Sequence, residues 1–199
     1  MTTRGRRTRE RLLRAAEVVF IRDGFLDAKI TDIAAEAGVS NGSFYTYFES
    51  KEAIFTTVIQ AVIELMYQAA VAPHDMDRSP QARIEHVTRE YLRAYQQHAG
   101  LMGILEQVAT FNPGFREMRR DIRQAFRKRT ESGIRRLQRQ GLVDAALAPQ
   151  CVAEALTSMV SNFCYVSMVL GEAYEEEEAV QTLTTIWLRG IGLAPVAGS

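Results

Sequence analysis

Apolar residues recur at intervals of three and four through almost the whole chain, and nowhere do they alternate with polar ones over the length of a strand. A pattern of that period can bury only a helical face, so the expected fold is all-α. Leu12, Leu13, Ala16, Val19 and Phe20 form the first stripe, and Gly24-Phe25 stops it, which predicts a helix over about 7–22. A short helix follows at about 30–37, with Thr31 as its N-cap and Ile33, Ala34 and Ala37 facing inward. Gly38 ends it, and Ser40 caps a third helix running from Asn41 to Phe48. Ser50 opens a long fourth helix with Ile54, Phe55, Val58, Val62, Leu65 and Met66 on one stripe.

The stretch 73–80, with a proline at each end, reads as a loop. Beyond it, Ile84, Val87, Tyr91, Leu92 and Tyr95 mark a fifth helix, and Leu101 to Phe111 a sixth, closed by Asn112-Pro113-Gly114. A basic helix carries Phe115, Met118, Ile122, Phe126, Ile134 and Leu137 up to Gly141. Two more follow Pro149 and the acidic cluster, the last bearing Val180, Leu183, Trp187 and Ile191.

With 199 residues, 47% of them hydrophobic, the chain can bury a sizeable core in one or two domains, which excludes a disordered or collagen-like class. Cys151 and Cys164, if they share a helix, stand about 20 Å apart along its axis and cannot pair. No apolar run follows the Arg-rich start, so a signal peptide is not expected and the compartment is read as cytoplasm. Val152–Leu170 comes nearest to a membrane span, but Glu154, Ser158, Ser161, Asn162 and Ser167 interrupt it. A helix in a protein interface fits that pattern better than lipid does, and no membrane partner is expected. His74, His86 and His98 have no metal spacing, and no Gly-rich phosphate loop or nucleophile motif is present. No catalytic residue, metal or cofactor is therefore expected. An enzyme would need a site assembled only in space, and a redox sensor would have to use Cys164 across a dimer.

The 24 Lys+Arg balance 24 Asp+Glu, and a net charge of zero announces no nucleic-acid partner. The charges are nevertheless segregated. Arg4, Arg6, Arg7, Arg9, Arg11 and Arg14 face only Glu10 near the start, a basic arm, and a second basic run lies between Phe115 and Gln140. The balancing acid includes Glu172 and Glu175 to Glu178. Each run reads either as a partner-facing surface or as a solvated helix face.

The pair of short helices around Gly38 carries the functional signal. Ile33, Ala34, Ala37, Gly38, Val39, Phe44 and Tyr47 fall where a helix-turn-helix needs core or turn residues. Such a motif leaves the outward side chains of its second helix free to enter a major groove roughly 12 Å wide. Asn41, Gly42, Ser43, Thr46 and Tyr47 are the candidate base readers. Thr31, Tyr45, Tyr47 and Lys51 are the candidates for phosphate, with helix N-termini at Thr31 and Ser50 favouring an anion. Phe44 and Phe48 read as core.

Arg11-Leu12-Leu13-Arg14-Ala15-Ala16, Phe20, Gly24-Phe25, Thr31-Asp32-Ile33-Ala34, Ala37-Gly38-Val39-Ser40, Gly42-Ser43-Phe44-Tyr45, Tyr47-Phe48 and Ser50-Lys51-Glu52 occur in the order of a known pattern. Over residues 7–67 the sequence resembles the TetR-type transcriptional regulators. The resemblance implies about nine helices and a DNA-binding head at 7–67, with the helix-turn-helix at about 30–49. It also implies an effector-binding and dimerisation domain at 68–199. It further implies a homodimer on palindromic double-stranded operator DNA, released by a small-molecule effector. Tyr47 stands where many members have His.

In the second half, Tyr91, Tyr95, Met102, Leu105, Phe111, Phe115, Met118, Ile122, Phe126, Met159 and Phe163 are the candidates for an effector pocket suited to a lipophilic ligand. Met168 shares that character, and many of these positions are core by spacing. The arginines between Arg116 and Lys128 could grip an anionic tail such as that of an acyl-coenzyme A, or could be solvated. Leu156, Val160, Phe163, Leu183 and Trp187 are the expected dimer surface.

Overall fold

The computed structural model describes residues 2–71 and 79–193, so most of the expected loop at 73–80, with His74 in it, lies outside the described residues. Among them are nine α-helices and no strand. These are α1 (Thr3–Asp27), α2 (Ile30–Glu36), α3 (Asn41–Tyr45), α4 (Lys51–Ala69), α5 (Pro80–Gln97), α6 (Ala99–Phe111), α7 (Pro113–Arg139), α8 (Pro149–Cys164) and α9 (Glu176–Gly190), with a π-helical turn at Tyr165–Val169 after α8. Two compact units emerge: residues up to Glu64 with Gly100–Glu117, and Leu65–Ala99 with Met118 onward. The first is thus not a single stretch of sequence, because most of α6 and the start of α7 belong with the N-terminal helices.

In the first unit α1 begins earlier than its apolar stripe, since the Thr2 hydroxyl accepts from the Gly5 amide at 3.2 Å and caps it. The basic arm is therefore helical from Thr3. Gly24, at φ 73°, breaks the helix where the sequence places the stop, and Phe25 returns to the core beyond it. There Phe20, Phe25, Phe55 and Phe115 interlock, with ring centroids 4.9 Å apart for Phe20–Phe55 and 5.2 Å for Phe55–Phe115. Phe115, expected in an effector pocket, is a member of this core, edge-on to Phe25 at 5.4 Å. The reason lies in chain order: the Asn112 side chain caps the start of α7 through the Gly114 and Phe115 amides and so keeps Phe115 with the α6 end of the chain.

In the second unit Ile134, Val143, Ala153, Leu156, Leu188, Ile191 and Leu193 form the core, with Trp187 and Met159 packed partly buried against it. Three residues expected at a dimer surface, Leu156, Val160 and Leu183, are buried in the chain's own core instead. Ala153, Leu156, Val160 and Cys164 recur on one face of α8, and that apolar stripe turns inward, while Glu154, Ala155 and Asn162 face out. Phe163 and Trp187 are half-buried, Phe163 lying 5.1 Å from Tyr174. The acidic run has a structural use: α5 packs on α9, Arg93 Nε donates to Glu176 at 2.8 Å, and Arg89 forks onto Glu177.

Phe115→Ala is expected to destabilise the first unit by about 3–5 kcal/mol, the cost of an aromatic cavity, read as a lower urea midpoint. The Arg89 guanidinium holds the Glu177 carboxyl at about 2. An unfolded carboxylate titrates near ~4.3, so the pair's contribution is fully present above that pH and fades as pH falls towards 2. Between those limits the melting temperature of the wild type should fall more than that of Glu177→Gln, by a small margin because the pair is exposed.

Candidate nucleic-acid interface

The backbone around Gly38 fixes how α3 leaves α2. Gly38 takes φ +63°, its amide donates to Ala35 O at 2.9 Å and the Val39 amide to Ala34 O at 2.9 Å. That paired closure ends α2 and turns the chain at once. From α1, Arg11 Nη2 donates to the carbonyls of Ala37 and Gly38, tying the first helix to the turn. A Cβ at Gly38 would lie 2.8 Å from that nitrogen. Ile33, Ala34 and Phe44 are fully buried beneath. The Ser40 hydroxyl accepts from the Ser43 amide at 3.2 Å, so the cap expected for α3 is present.

The helix is one turn shorter than expected, with Thr46 N and Tyr47 N bonding back three residues to Ser43 O and Phe44 O. Asn41, Gly42 and Thr46 are exposed, Ser43 and Tyr47 half-buried, and Tyr45 is 58% exposed. Phe44 and Phe48 are buried, the Arg9 guanidinium sitting 5.2 Å above the Phe48 ring. Thr31 is exposed but is not the N-cap of α2. Lys29 holds that place, its carbonyl accepting from Asp32 N and Ile33 N, so the helix starts two residues before Thr31's hydroxyl could cap it. Lys51 departs further from expectation. Its ammonium donates to Phe25 O at 2.7 Å, Ala28 O at 2.9 Å and Leu26 O at 3.1 Å, and lies 4.8 Å over the Phe25 ring. An ammonium has three donors, and here each has a carbonyl, so Lys51 closes the end of α1 rather than reaching for phosphate.

Residues 12–58 match the family described as bacterial regulatory proteins, tetR family, and residues 84–192, more than half of the chain, match the C-terminal domain of the transcriptional regulator EthR. The chain belongs to the TetR family of transcriptional regulators. The regulator YdgC of Bacillus subtilis is 30% identical over 169 residues, covering 81% of this chain and 82% of its own. EthR of Mycolicibacterium smegmatis is 27% identical over 194 residues, 93% of this chain and 87% of its own. The crystal structure of NalD, the secondary repressor of the MexAB-OprM multidrug efflux pump in Pseudomonas aeruginosa, shares the fold at a TM-score of 0.77 with 19% identity, over 96% of this chain and 98% of that one.

The residues this TetR-family chain was expected to place in an effector pocket fall in both compact units. In the first, Met102 and Leu105 are buried on α6, Phe111 is 49% exposed, and Phe115 belongs to the phenylalanine core. In the second, Tyr91 lies 5.6 Å from Phe126 and 6.2 Å from Tyr95, and Phe126 lies 5.5 Å from Tyr67. Met118, Ile122 and Met159 are half-buried. Burial raises the Tyr91 phenol, while a hydrogen bond with Ser161 opposes the rise. Burial likewise pushes the Cys164 thiol up to about 12, which keeps it protonated and slow to oxidise.

The arginines of α7 are largely engaged. Arg116 donates to Ala109 O and Thr110 O, Arg123 to the Ser158 hydroxyl, Arg127 to Glu131, and Arg129 to Tyr67 O. Among the described residues no cluster of His, Cys, Asp and Glu could hold a metal.

Sequence reasoning missed the roles of Arg11 and Lys51, since their partners lie 26 or so residues away and carry no pattern of their own. Lys51→Ala should lower stability by about 1–3 kcal/mol, the range for losing a charged donor from its acceptors, measured by thermal unfolding. The salt dependence of DNA binding should stay as in the wild type.

Proposed function

We propose that this TetR-family regulator is a ligand-responsive repressor, binding palindromic operator DNA as a homodimer and releasing it when a small lipophilic effector binds. The exposed face of α3 carries the reading. Asn41, Gly42 and Thr46 stand out from a helix whose exit angle is fixed by the Gly38 turn and by Arg11. Rigid presentation of short polar side chains is what base-edge recognition in a major groove requires. Asn41 and Ser43, with Gly42, Thr46 and Tyr47, are the proposed readers, and Thr31, Tyr45 and Tyr47 the proposed phosphate contacts. A DNA partner places the protein in the cytoplasm.

Dimerisation is supported by the helix running from Pro149 to Val169, whose most apolar 18 residues have a mean hydropathy of 1.2 and yet are only 22% buried. With Leu156, Val160 and Leu183 committed inward, the surface left for a second copy is the half-buried Phe163 and Val166 with the exposed Leu170, Tyr174 and Ile186. The effector reading rests on the aromatic group of Tyr67, Tyr91, Tyr95 and Phe126, and on the likeness in fold to NalD, the secondary repressor of a multidrug efflux pump. The engaged arginines of α7 favour a lipophilic effector over an anionic acyl-coenzyme A tail. An effector need only prefer a dimer whose two heads are wrongly spaced.

Selection of duplexes from fragmented genomic DNA should recover a palindrome, and Asn41→Ala should cost about 1–3 kcal/mol on the preferred site while relaxing one base position. Equal binding to all duplexes would exclude the reading.

A further inference from the structure

Arg4, Arg7 and Arg11 are spaced by three and four residues, so one face of α1 carries all three. Between that face and α3 lies a cleft of about 640 Å³, lined by the three arginines on one side and by Ser43, Thr46 and Tyr47 on the other. No carboxylate is among its lining residues, so its positive charge is uncompensated at close range.

The three guanidiniums differ in what they can do. Arg11 is fixed at the cleft wall, because its Nη2 is held by the turn carbonyls of Ala37 and Gly38. Arg4 and Arg7 are exposed, and among the described residues neither has an ion pair. On the opposite wall, Ser43 Oγ accepts from Ser40 Oγ at 3.2 Å, which leaves its own hydroxyl hydrogen to donate. Thr46 spends its hydroxyl hydrogen on Gly42 O, so it lines the cleft without a donor to spare. The cleft thus offers donors from both walls and a standing positive charge. The species that fits is an anion rich in acceptors and poor in hydrogens, which describes a phosphodiester.

We propose that this cleft clamps one backbone phosphate of the DNA, at the edge of the stretch that α3 reads. Arg4 and Arg7 are its cationic jaws, Arg11 the fixed charge behind them, and the Tyr47 hydroxyl the neutral donor, with Ser43 lining the wall on the side of the base edges. The proposal rests on the reading of the chain as an operator-binding regulator, and adds a contact that carries no base information. Its anchor is geometric: Ser43 belongs to the same short helix as Asn41 and Gly42, and Tyr47 lies in the turn that ends it, so a strand whose bases meet that helix brings a phosphate to the cleft. It also gives the N-terminal arginines a use that the zero net charge conceals.

The test compares the intact wild-type chain with Arg4→Gln/Arg7→Gln, both side chains being exposed in the first turns of α1 and dispensable for the core. The probe is the duplex that the wild type selects from a randomised library, mapped by phosphate ethylation interference and titrated from 50 to 200 mM salt. The wild type should show one phosphate per half-site whose ethylation weakens binding and ceases to matter in the double variant, while the remaining contacts persist. The slope of log affinity against log salt should fall by about 0.9 for each phosphate released, with the preferred duplex unchanged. An identical interference map and slope in the two proteins would overturn the clamp. So would a change of preferred sequence, which would make the arginines base readers. If the wild type selected no duplex, the operator reading itself would fail. The clamp would then be judged on a random-sequence duplex, where the same loss of slope supports it and an unchanged slope overturns it.

Discussion

The turn at Gly38 governs what this protein can present to a partner. Two backbone hydrogen bonds close α2 there, a positive φ redirects the chain, and the Arg11 guanidinium holds the last carbonyls from the side of α1. A helix as short as α3 has little stability of its own. Its orientation is inherited from that closure and from Phe44 beneath it, and its polar side chains can be rigid only because the backbone under them is. The Ser40 cap then satisfies the Ser43 amide, one of the free amides of a helix too short to waste one.

Cationic side chains are put to unusually varied use. Lys51 and Arg116 donate to carbonyls at helix ends, Arg9 and Arg129 lie over aromatic rings, and Arg89 and Arg93 pin the acidic start of α9 to α5. Acidic residues at the first turn of α9 also suit its dipole. The basic run along α7, which by composition could have been an anion site, is largely spent on internal acceptors. The arginines at the start of α1 are the contrasting case, for their face opens on a cleft without carboxylates.

Much of the architecture was legible because it is written locally. The caps at Ser40 and Ser50, the stops at Gly24, Gly38 and Gly141, and the inward faces of α1 and α2 each depend on residues within a few positions of one another. The motif around Gly38 was legible for the same reason. Which of the expected dimer-surface residues stay at the surface was not legible, because an apolar stripe shows that a helix face is buried without showing against what. Leu156 and Val160 found the chain's own core. For Phe115 likewise the apolar character was visible and its neighbours Phe25 and Phe55 were not.

The amino-acid sequence by itself determined the helical class, the order of the elements, the turn between α2 and α3 and the membership in a family of regulators, since periodicity and capping act over one or two turns of chain. Tertiary structure alone decided which partner each long side chain takes. Lys51 reaches carbonyls more than 20 residues back, and Arg11 reaches a turn as far ahead. Such choices follow from which helix ends are brought together in space, and a flexible cation settles wherever unpaired acceptors converge, a condition that no local pattern encodes.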